Sequence, residues 1–312
     1  MVEDGDIKTK VSPFAMREGE IKVFDGKDGY VSMNQIISKI NAGTINELHF
    51  RVMELVNEFE FITSRQLFQL LEREKFEIKS QDKLNTKLEQ LVKSKILTRY
   101  YFNSDDGKGI YRIYCLEKMG KYLLNSRGVE CKWQPTDNTK TVAMIKKRLA
   151  GNQIIIAYMN KVKCFNGYVA KPAIIAKTLN KTFKAAGGKI TLTKASKSID
   201  FIFEVIRRED DWEKKLADKL KLYNDFYTNF VPGDSGFSSL PQLILVGEDE
   251  RHMAEIFKNI VINKLEIDKI KFYYTTDLRQ NEENLIKSFA EFKLDPETKK
   301  YKMENVEIKL LG

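Results

Sequence analysis

An α+β chain in two folded parts is what the sequence predicts, and three observations carry that expectation. Between Asn46 and Ser94 apolar residues recur at helical spacing in three successive runs, followed by two Tyr-, Ile- and Phe-rich runs around a polar loop. From Lys189 onward, apolar runs of strand length alternate with amphipathic helical stretches, which points to an α/β domain with a mixed central sheet. The 312 residues suffice for two modest domains, each with its own core, and with 42% hydrophobic residues and only 6 Pro the chain is not a disordered one.

Residues 1–44 mix Gly, Lys and Asp around short apolar pieces such as Ile21-Lys22-Val23-Phe24 and read as an N-terminal arm or peripheral hairpin. Leu48, Val52, Leu55, Val56 and Phe59 then build one face of a first helix. Thr63 and Gln66 stand at capping-box spacing directly before Leu67, Phe68, Leu70 and Leu71, so a second helix starts there. A third, from Ser80 to Ser94, turns Leu84, Leu88, Leu91 and Val92 inward and leaves Lys79, Lys83, Thr86, Gln90 and Lys93 on the opposite side. Ile96 to Phe102 and Ile110 to Leu116 flank Asn103-Ser104-Asp105-Asp106-Gly107-Lys108-Gly109 as the strands of a hairpin. Three helices and a hairpin over residues 45–130 make a winged helix-turn-helix, closed by a helix over Glu117 to Arg127.

Trp133-Gln134-Pro135 reads as a link. Thr139 to Lys161 and Ala173 to Ala186 read as the two helices of a basic helical segment, residues 138–188, which Gly187-Gly188 ends. In the α/β domain, residues 189–312, Ile190-Thr191-Leu192 and Ile199 to Ile206 predict strands joined by a Lys194-Ala195-Ser196-Lys197 turn. A helix with Trp212, Leu216, Leu220, Tyr223 and Tyr227 in register follows. After it come a strand at Leu243 to Val246, a helix from Asp249 to Ile260, a strand at Lys271 to Thr275, a helix from Asn281 to Phe289 and an edge strand from Val306 to Leu311.

Charge points to the partner. The net charge of +9 is concentrated between Asn138 and Ile199, which hold 13 Lys or Arg and no Asp or Glu; the remaining 40 basic and 44 acidic residues leave the rest of the chain at −4. A polyanion suits such a surface, and with a winged helix the expected polyanion is double-stranded DNA. The third helix would enter the major groove with Thr86 and Gln90 at base edges and Lys79, Lys83, Lys87 and Lys93 at phosphates. Arg99, Lys108 and Arg112 of the hairpin would follow the backbone or the minor groove, and Lys140, Lys146, Lys147 and Arg148 would add phosphate contacts. From Ser64 to Arg112 there are 11 basic and 7 acidic residues, so most electrostatic affinity is expected from the basic segment and the choice of site from the third helix.

Other chemistries find little support. No run of 18 apolar residues occurs and the start, Met-Val-Glu-Asp-Gly-Asp, has no signal core, so a cytoplasmic protein without a membrane partner is expected. Cys115, Cys131 and Cys164 are widely spaced and form no Cys-x-x-Cys pair, which argues against a zinc site. Gly187-Gly188-Lys189 lacks the spacing of a phosphate-binding loop. His49 and His252 fall in different predicted domains, and His252, near a helix start, reads as a surface residue. No catalytic residue, metal or cofactor is expected.

Three segments, Ile199-Asp200-Phe201-Ile202-Phe203-Glu204-Val205, Lys219-Leu220-Lys221-Leu222-Tyr223, and Leu243-Ile244-Leu245-Val246 with Asp249-Glu250-Arg251, follow the winged helix and basic segment. Together they resemble the replication-relaxation family of mobile-element proteins over roughly residues 46–275. The resemblance implies a DNA-binding accessory role in plasmid replication, transfer or DNA relaxation, and a C-terminal domain similar to the restriction-endonuclease fold. A nuclease of that type needs an Asp on one strand and Glu-x-Lys on the next to hold Mg²⁺. Glu204 matches the Glu, but Ile206 stands in the Lys position and Lys189 to Thr193 contain no acid. Asp200 and Glu204, four residues apart on one strand, are about 13 Å from each other and cannot share an ion. An inactive domain is therefore expected, with Glu204 paired to Arg207 or Arg208, and an initiator, relaxosome or transcription accessory as the function. Two alternatives are a metal-dependent nuclease with an unrecognised site and a scaffold that self-associates, or binds a replication or transfer protein, through Trp212, Tyr223, Phe226 and Tyr227.

Overall fold

The computed structural model describes residues 11–26, 29–105, 107, 111–131, 133–282, 284–294 and 301–308. The chain divides into two compact units, Arg17–Ile156 and, together, Met1–Met16 with Ala157–Gly312. Helices and strands mix in both, and among the described residues no helix is long and apolar enough to cross a membrane.

The first unit runs β1 (Ile21–Phe24), α1 (Met33–Asn41), α2 (Glu47–Phe59), β2 (Ile62–Thr63), α3 (Ser64–Arg73), α4 (Gln81–Lys93), β3 (Leu97–Asn103), β4 (Ile113–Leu116) and α5 (Lys118–Ser126), and ends within α6 (Val142–Lys161). Polar caps fix the helix starts. Thr63 Oγ1 accepts from the Gln66 amide N–H at 3.1 Å while Gln66 Oε1 accepts from Thr63 N–H at 3.1 Å, which satisfies two backbone donors at the start of α3. The Gln66 side-chain amide also donates to the Leu149 carbonyl at 2.8 Å, so one residue both caps α3 and ties it to α6. Ser80 caps α4 in the same way, accepting from Lys83 N–H at 3.3 Å.

Leu84, Leu88, Leu91 and Val92 of α4 are buried beside Leu67, Leu70 and Leu71 of α3, each such side chain worth about 1.5–3 kcal/mol. Gly120 lets α5 approach β3, because a Cβ there would lie 2.5 Å from the Ile96 carbonyl oxygen. The four strands form an antiparallel sheet in the order β1-β3-β4-β2. The stretch read as an arm or peripheral hairpin contributes to this sheet: β1 pairs with β3 from Ile21↔Asn103 to Phe24↔Tyr100, and Ser32 caps α1.

The second unit contains β5 (Phe165–Val169), β6 (Ala173–Ala176), β7 (Lys181–Lys184), β8 (Lys189–Lys194), β9 (Lys197–Val205), α7 (Trp212–Thr228), β10 (Gln242–Gly247), α8 (Glu250–Ile262), β11 (Tyr273–Thr276), β12 (Phe289–Leu294) and β13 (Tyr301–Val306). Seven strands form one mixed sheet, β13-β12-β11-β10-β9-β8-β5, in which β9, β10 and β11 are parallel and the other neighbours antiparallel. Parallel neighbours need helical crossovers, and α7 and α8 supply them. Leu243 to Val246 of the central β10 are fully buried, as an unbroken apolar run requires.

Four expectations change. Ala173 to Ala186 is not helical: it forms the β6–β7 hairpin, with Ile174 and Ala176 buried, Ile175 exposed and Asn180 at φ 49 in the turn. A period of two over β-branched residues decides for strand. Asn281 to Phe289 is not one helix either. It forms two single 3-10 turns and the start of β12, because Asn284 Oδ1 accepts from Ile286 N–H and the Thr275 hydroxyl bonds the Ser288 carbonyl at 2.6 Å. The last strand lies earlier than expected, at Tyr301–Val306, and residues 309–312 are outside those described. Leu216, Leu220, Tyr223, Phe226 and Tyr227 of α7 belong to the core with Ile202, Leu243 and Tyr274, which removes the aromatic stripe as an oligomerisation surface.

Candidate functional site

The cap at Ser80 and the buried leucine stripe fix the rotation of α4, and so decide what its other side presents. Lys79, Lys83 and Thr86 are exposed, and Lys87 is half-buried. Among the described residues Lys79, Lys83 and Lys87 meet no carboxylate. Lys93 lies 3.7 Å from Glu89 one turn back, and the Thr86 hydroxyl donates to the Asp82 carbonyl at 3.0 Å.

Gln90 is half-buried and held from behind. His49 of α2 is buried; its Nδ1 lies 2.9 Å from Asn46 Oδ1 and 3.2 Å from the Asn46 N–H donor, and its Nε2 lies 3.1 Å from Gln90 Oε1. That contact holds one end of the Gln90 amide. Burial lowers the His49 pKa from its ordinary value, the Gln90 hydrogen bond opposes this, and the Lys87 charge adds to the lowering, so the imidazole is neutral at pH 7. Nothing in residue spacing marks the His49–Gln90 contact, because it joins residues 41 apart.

Four other expected DNA contacts are drawn into the fold. Arg99 is buried, with Nη1 at 2.5 Å from Glu89 and Nε at 2.8 Å from Asp25; it clamps α4 to the end of β1 rather than facing outward. Lys146 is fully buried, with Nζ 2.5 Å from Glu20 and 5.6 Å from the centre of the Phe102 ring. Lys140 pairs with Glu60 and, at 3.0 Å, Asp137, and Arg148 lies 3.5 Å from Glu60. Lys147 is half-buried. Arg112 is exposed, 3.5 Å from Asp25, and Lys108 lies outside the described residues. Part of the carboxylate-free stretch is therefore matched by acids from elsewhere in the chain. Further along it, Lys177 meets Asp234 at 2.6 Å and Lys189 meets Asp200 at 3.2 Å, while Lys163, Lys181, Lys184 and Lys197 are exposed.

In the second unit Glu204 sits near the end of β9, buried against α7, with the Tyr223 hydroxyl donating to Oε2 at 2.7 Å and Lys219 Nζ at 3.8 Å. Arg207 and Arg208 are not its partners. Burial pushes the Tyr223 hydroxyl well above the usual phenol range and the Glu204 charge adds to that, so Tyr223 acts as a fixed donor. Asp200, on the same strand, instead accepts from Thr191 at 2.5 Å. Among the described residues, no group of three or more His, Cys, Asp or Glu is placed to hold a metal ion.

A second buried network lies just past the carboxyl ends of β9, β10 and β11, where ligands commonly bind in open α/β sheets. Here protein groups fill it. Arg207 is fully buried and donates from Nη2 to both Asp277 oxygens at 2.9 Å, and Ser12 Oγ donates to Asp277 at 2.5 Å. Arg208 bonds Asp249 at 2.7 Å and Glu255 at 3.1 Å. His252 is buried rather than superficial: Nδ1 accepts from Glu248 N–H at 3.1 Å and the ring meets Trp212 edge to face at 5.0 Å. Burial, followed by the charges of Arg208 and Arg207, brings its pKa down to about 3.

Comparison with family models, with curated proteins and with solved structures finds no match to this chain.

Proposed function

We propose that this protein binds duplex DNA as an accessory factor of a plasmid or other mobile element, in replication, transfer or transcription control. In this reading Arg17–Ile156 is a winged helix-turn-helix with α4 as its reading helix. The observation that carries the proposal is the outer face of α4, where Lys83 and Lys87, with Lys79 just before the cap, meet no carboxylate among the described residues around Thr86 and Gln90, while nearby Arg99 and Lys146 are tied into the interior. The helix–strand–helix–helix–hairpin order of α2, β2, α3, α4 and β3–β4 supports it.

The contacts refine the role of each side chain. Gln90, with one end of its amide engaged by His49, offers a base edge a single hydrogen-bonding group rather than the bidentate adenine pair. Lys83 and Lys87 meet phosphates and carry no sequence information. The mobile-element setting rests on the resemblance to the replication-relaxation family, and so does a restriction-endonuclease-like second unit. Glu204 near the end of a central strand, bonded to Tyr223 and beside Lys219, supports that unit in a form used for binding rather than cleavage.

Selection of bound fragments from a random duplex library tests the reading. A defined motif is expected from the native protein, and Gln90→Ala should relax one base position by a factor of about 5 or more while leaving the rest intact. No enrichment over input, or a motif untouched by changes at Thr86 and Gln90, would remove α4 as the reader.

A further inference from the structure

The two edges of the seven-stranded sheet are built differently. At one end β5 carries a register shift between Phe165 and Gly167, the kind of irregularity that turns an edge away from further pairing. At the other end β13 pairs with β12 in unbroken register from Phe289↔Val306 to Leu294↔Tyr301, and among the described residues no strand meets its outer edge. That edge is a regular row of backbone donors and acceptors.

Its two faces also have a pattern. On the side toward α8, Phe292 stacks on Phe257 at 4.2 Å and Tyr301 meets Phe257 at 4.8 Å, while Leu294, Tyr301 and Met303 remain 54%, 48% and 42% exposed. On the opposite side an alternating ladder crosses the strands. Lys271 pairs with Glu291, Glu291 with Lys293 at 2.7 Å and Lys293 with Glu304 at 2.7 Å, so that the ladder reaches the edge strand at a carboxylate.

We propose that β13 pairs with β13 of a second copy of this chain, antiparallel and centred on Met303, joining two sheets across a twofold axis. The register follows from charge. Directly opposed residues share a face, so centring on Met303 sets Lys302 of each copy against Glu304 of the other, twice, and extends the ladder by a cation. Centring on Lys302 or Glu304 would add a third and fourth like charge to rows in which β12 and β13 already oppose Lys293 to Lys302 and Glu291 to Glu304. In the Met303 register the methionines meet each other beside the exposed Leu294 and Tyr301, and α7 takes no part. A six-residue strand is only about 20 Å long, so the pair buries less than the roughly 1,200 Å² of a tight complex and should assemble reversibly, with a Kd on the order of 10–100 µM. The proposal is independent of DNA binding.

Sedimentation velocity of the full chain over about 5–500 µM, bracketing that range, tests it with Lys302→Glu and Glu304→Lys. Each single reversal should weaken self-association at least fivefold. The double reversal should restore it to within about twofold, and so should an equimolar mixture of the two single variants, because Lys and Glu then face each other again across unlike chains. Both side chains are exposed, and unchanged circular dichroism of each variant confirms an intact fold. The proposal is overturned by a native chain that stays monomeric throughout, by association insensitive to both reversals, or by a mixture of variants that fails to regain it.

Discussion

Lysines at two places in this chain look alike in sequence and end in opposite surroundings. At α4, exposed Lys83 and half-buried Lys87, with Lys79 just before the cap, meet no carboxylate among the described residues. In the stretch from Asn138 to Ile199, which has no acid of its own, Lys140, Lys146, Arg148, Lys177 and Lys189 all meet Glu or Asp contributed from outside it: Glu60, Glu20, Asp137, Asp234 and Asp200. The run of positive charge is therefore partly compensated, while Lys163, Lys181, Lys184 and Lys197 of the same run stay exposed and meet no carboxylate among the described residues. Net charge of a segment counts residues, whereas a polyanion meets only cations that the fold leaves uncompensated.

The largest expected effect breaks the buried side of this comparison. Lys146→Ala leaves Glu20 buried without its partner and should lower the unfolding free energy by about 3–5 kcal/mol, measured by urea denaturation. Replacing the pair together, Lys146→Met with Glu20→Leu, should recover most of that loss. If Lys146→Ala unfolds at the native urea concentration, the pair is not structural.

Titration tests the same distinction in the second unit. His252, at about 3 in the folded chain against an ordinary 6.5, stays neutral where the unfolded chain takes up a proton. Its contribution is complete above pH 6.5 and lost as pH falls toward 3, by about 2–3 kcal/mol at pH 4.5. His252→Gln, which keeps a side-chain acceptor without that titration, should show a correspondingly shallower loss of stability between pH 6.5 and 4.5 than the native chain. Parallel pH profiles would rule out the buried neutral imidazole. A smaller effect is expected at Glu204: Tyr223→Phe removes the hydroxyl donor of a buried carboxylate and should cost about 1–3 kcal/mol in thermal or urea unfolding. No measurable cost would mean that Glu204 is satisfied by Lys219 alone.

What the sequence made legible follows the range of the forces involved. Thr63 with Gln66, Ser80 before α4, and the Leu84, Leu88, Leu91 and Val92 stripe are local signals, and the structure contains each of them. The exposed Lys83 and Thr86 follow directly from that stripe. Pairings across long separations were not legible: Lys146 meets a residue 126 positions away, His49 one 41 positions away, and Ser12 one 265 positions away. The β6–β7 hairpin escaped for another reason. Ile174, Phe183 and the alanines between and beyond them satisfy helical spacing loosely, and only the alternation at Ile174, Ile175 and Ala176 marks strand.

The central claim is that the uncompensated lysines of α4, not the longer basic stretch, hold the DNA backbone. Binding of the native chain to a duplex, followed by fluorescence anisotropy over a range of salt concentrations, gives the number of phosphates neutralised from the slope of log K against log salt. The double variant Lys83→Ala, Lys87→Ala should lower the magnitude of that slope by about 2 and weaken binding across all sequences, while its urea midpoint stays at the native value. The companion variant Lys163→Ala, Lys181→Ala, from the carboxylate-free stretch, should leave the slope unchanged. A native slope in the α4 variant together with a reduced slope in the companion would contradict the account.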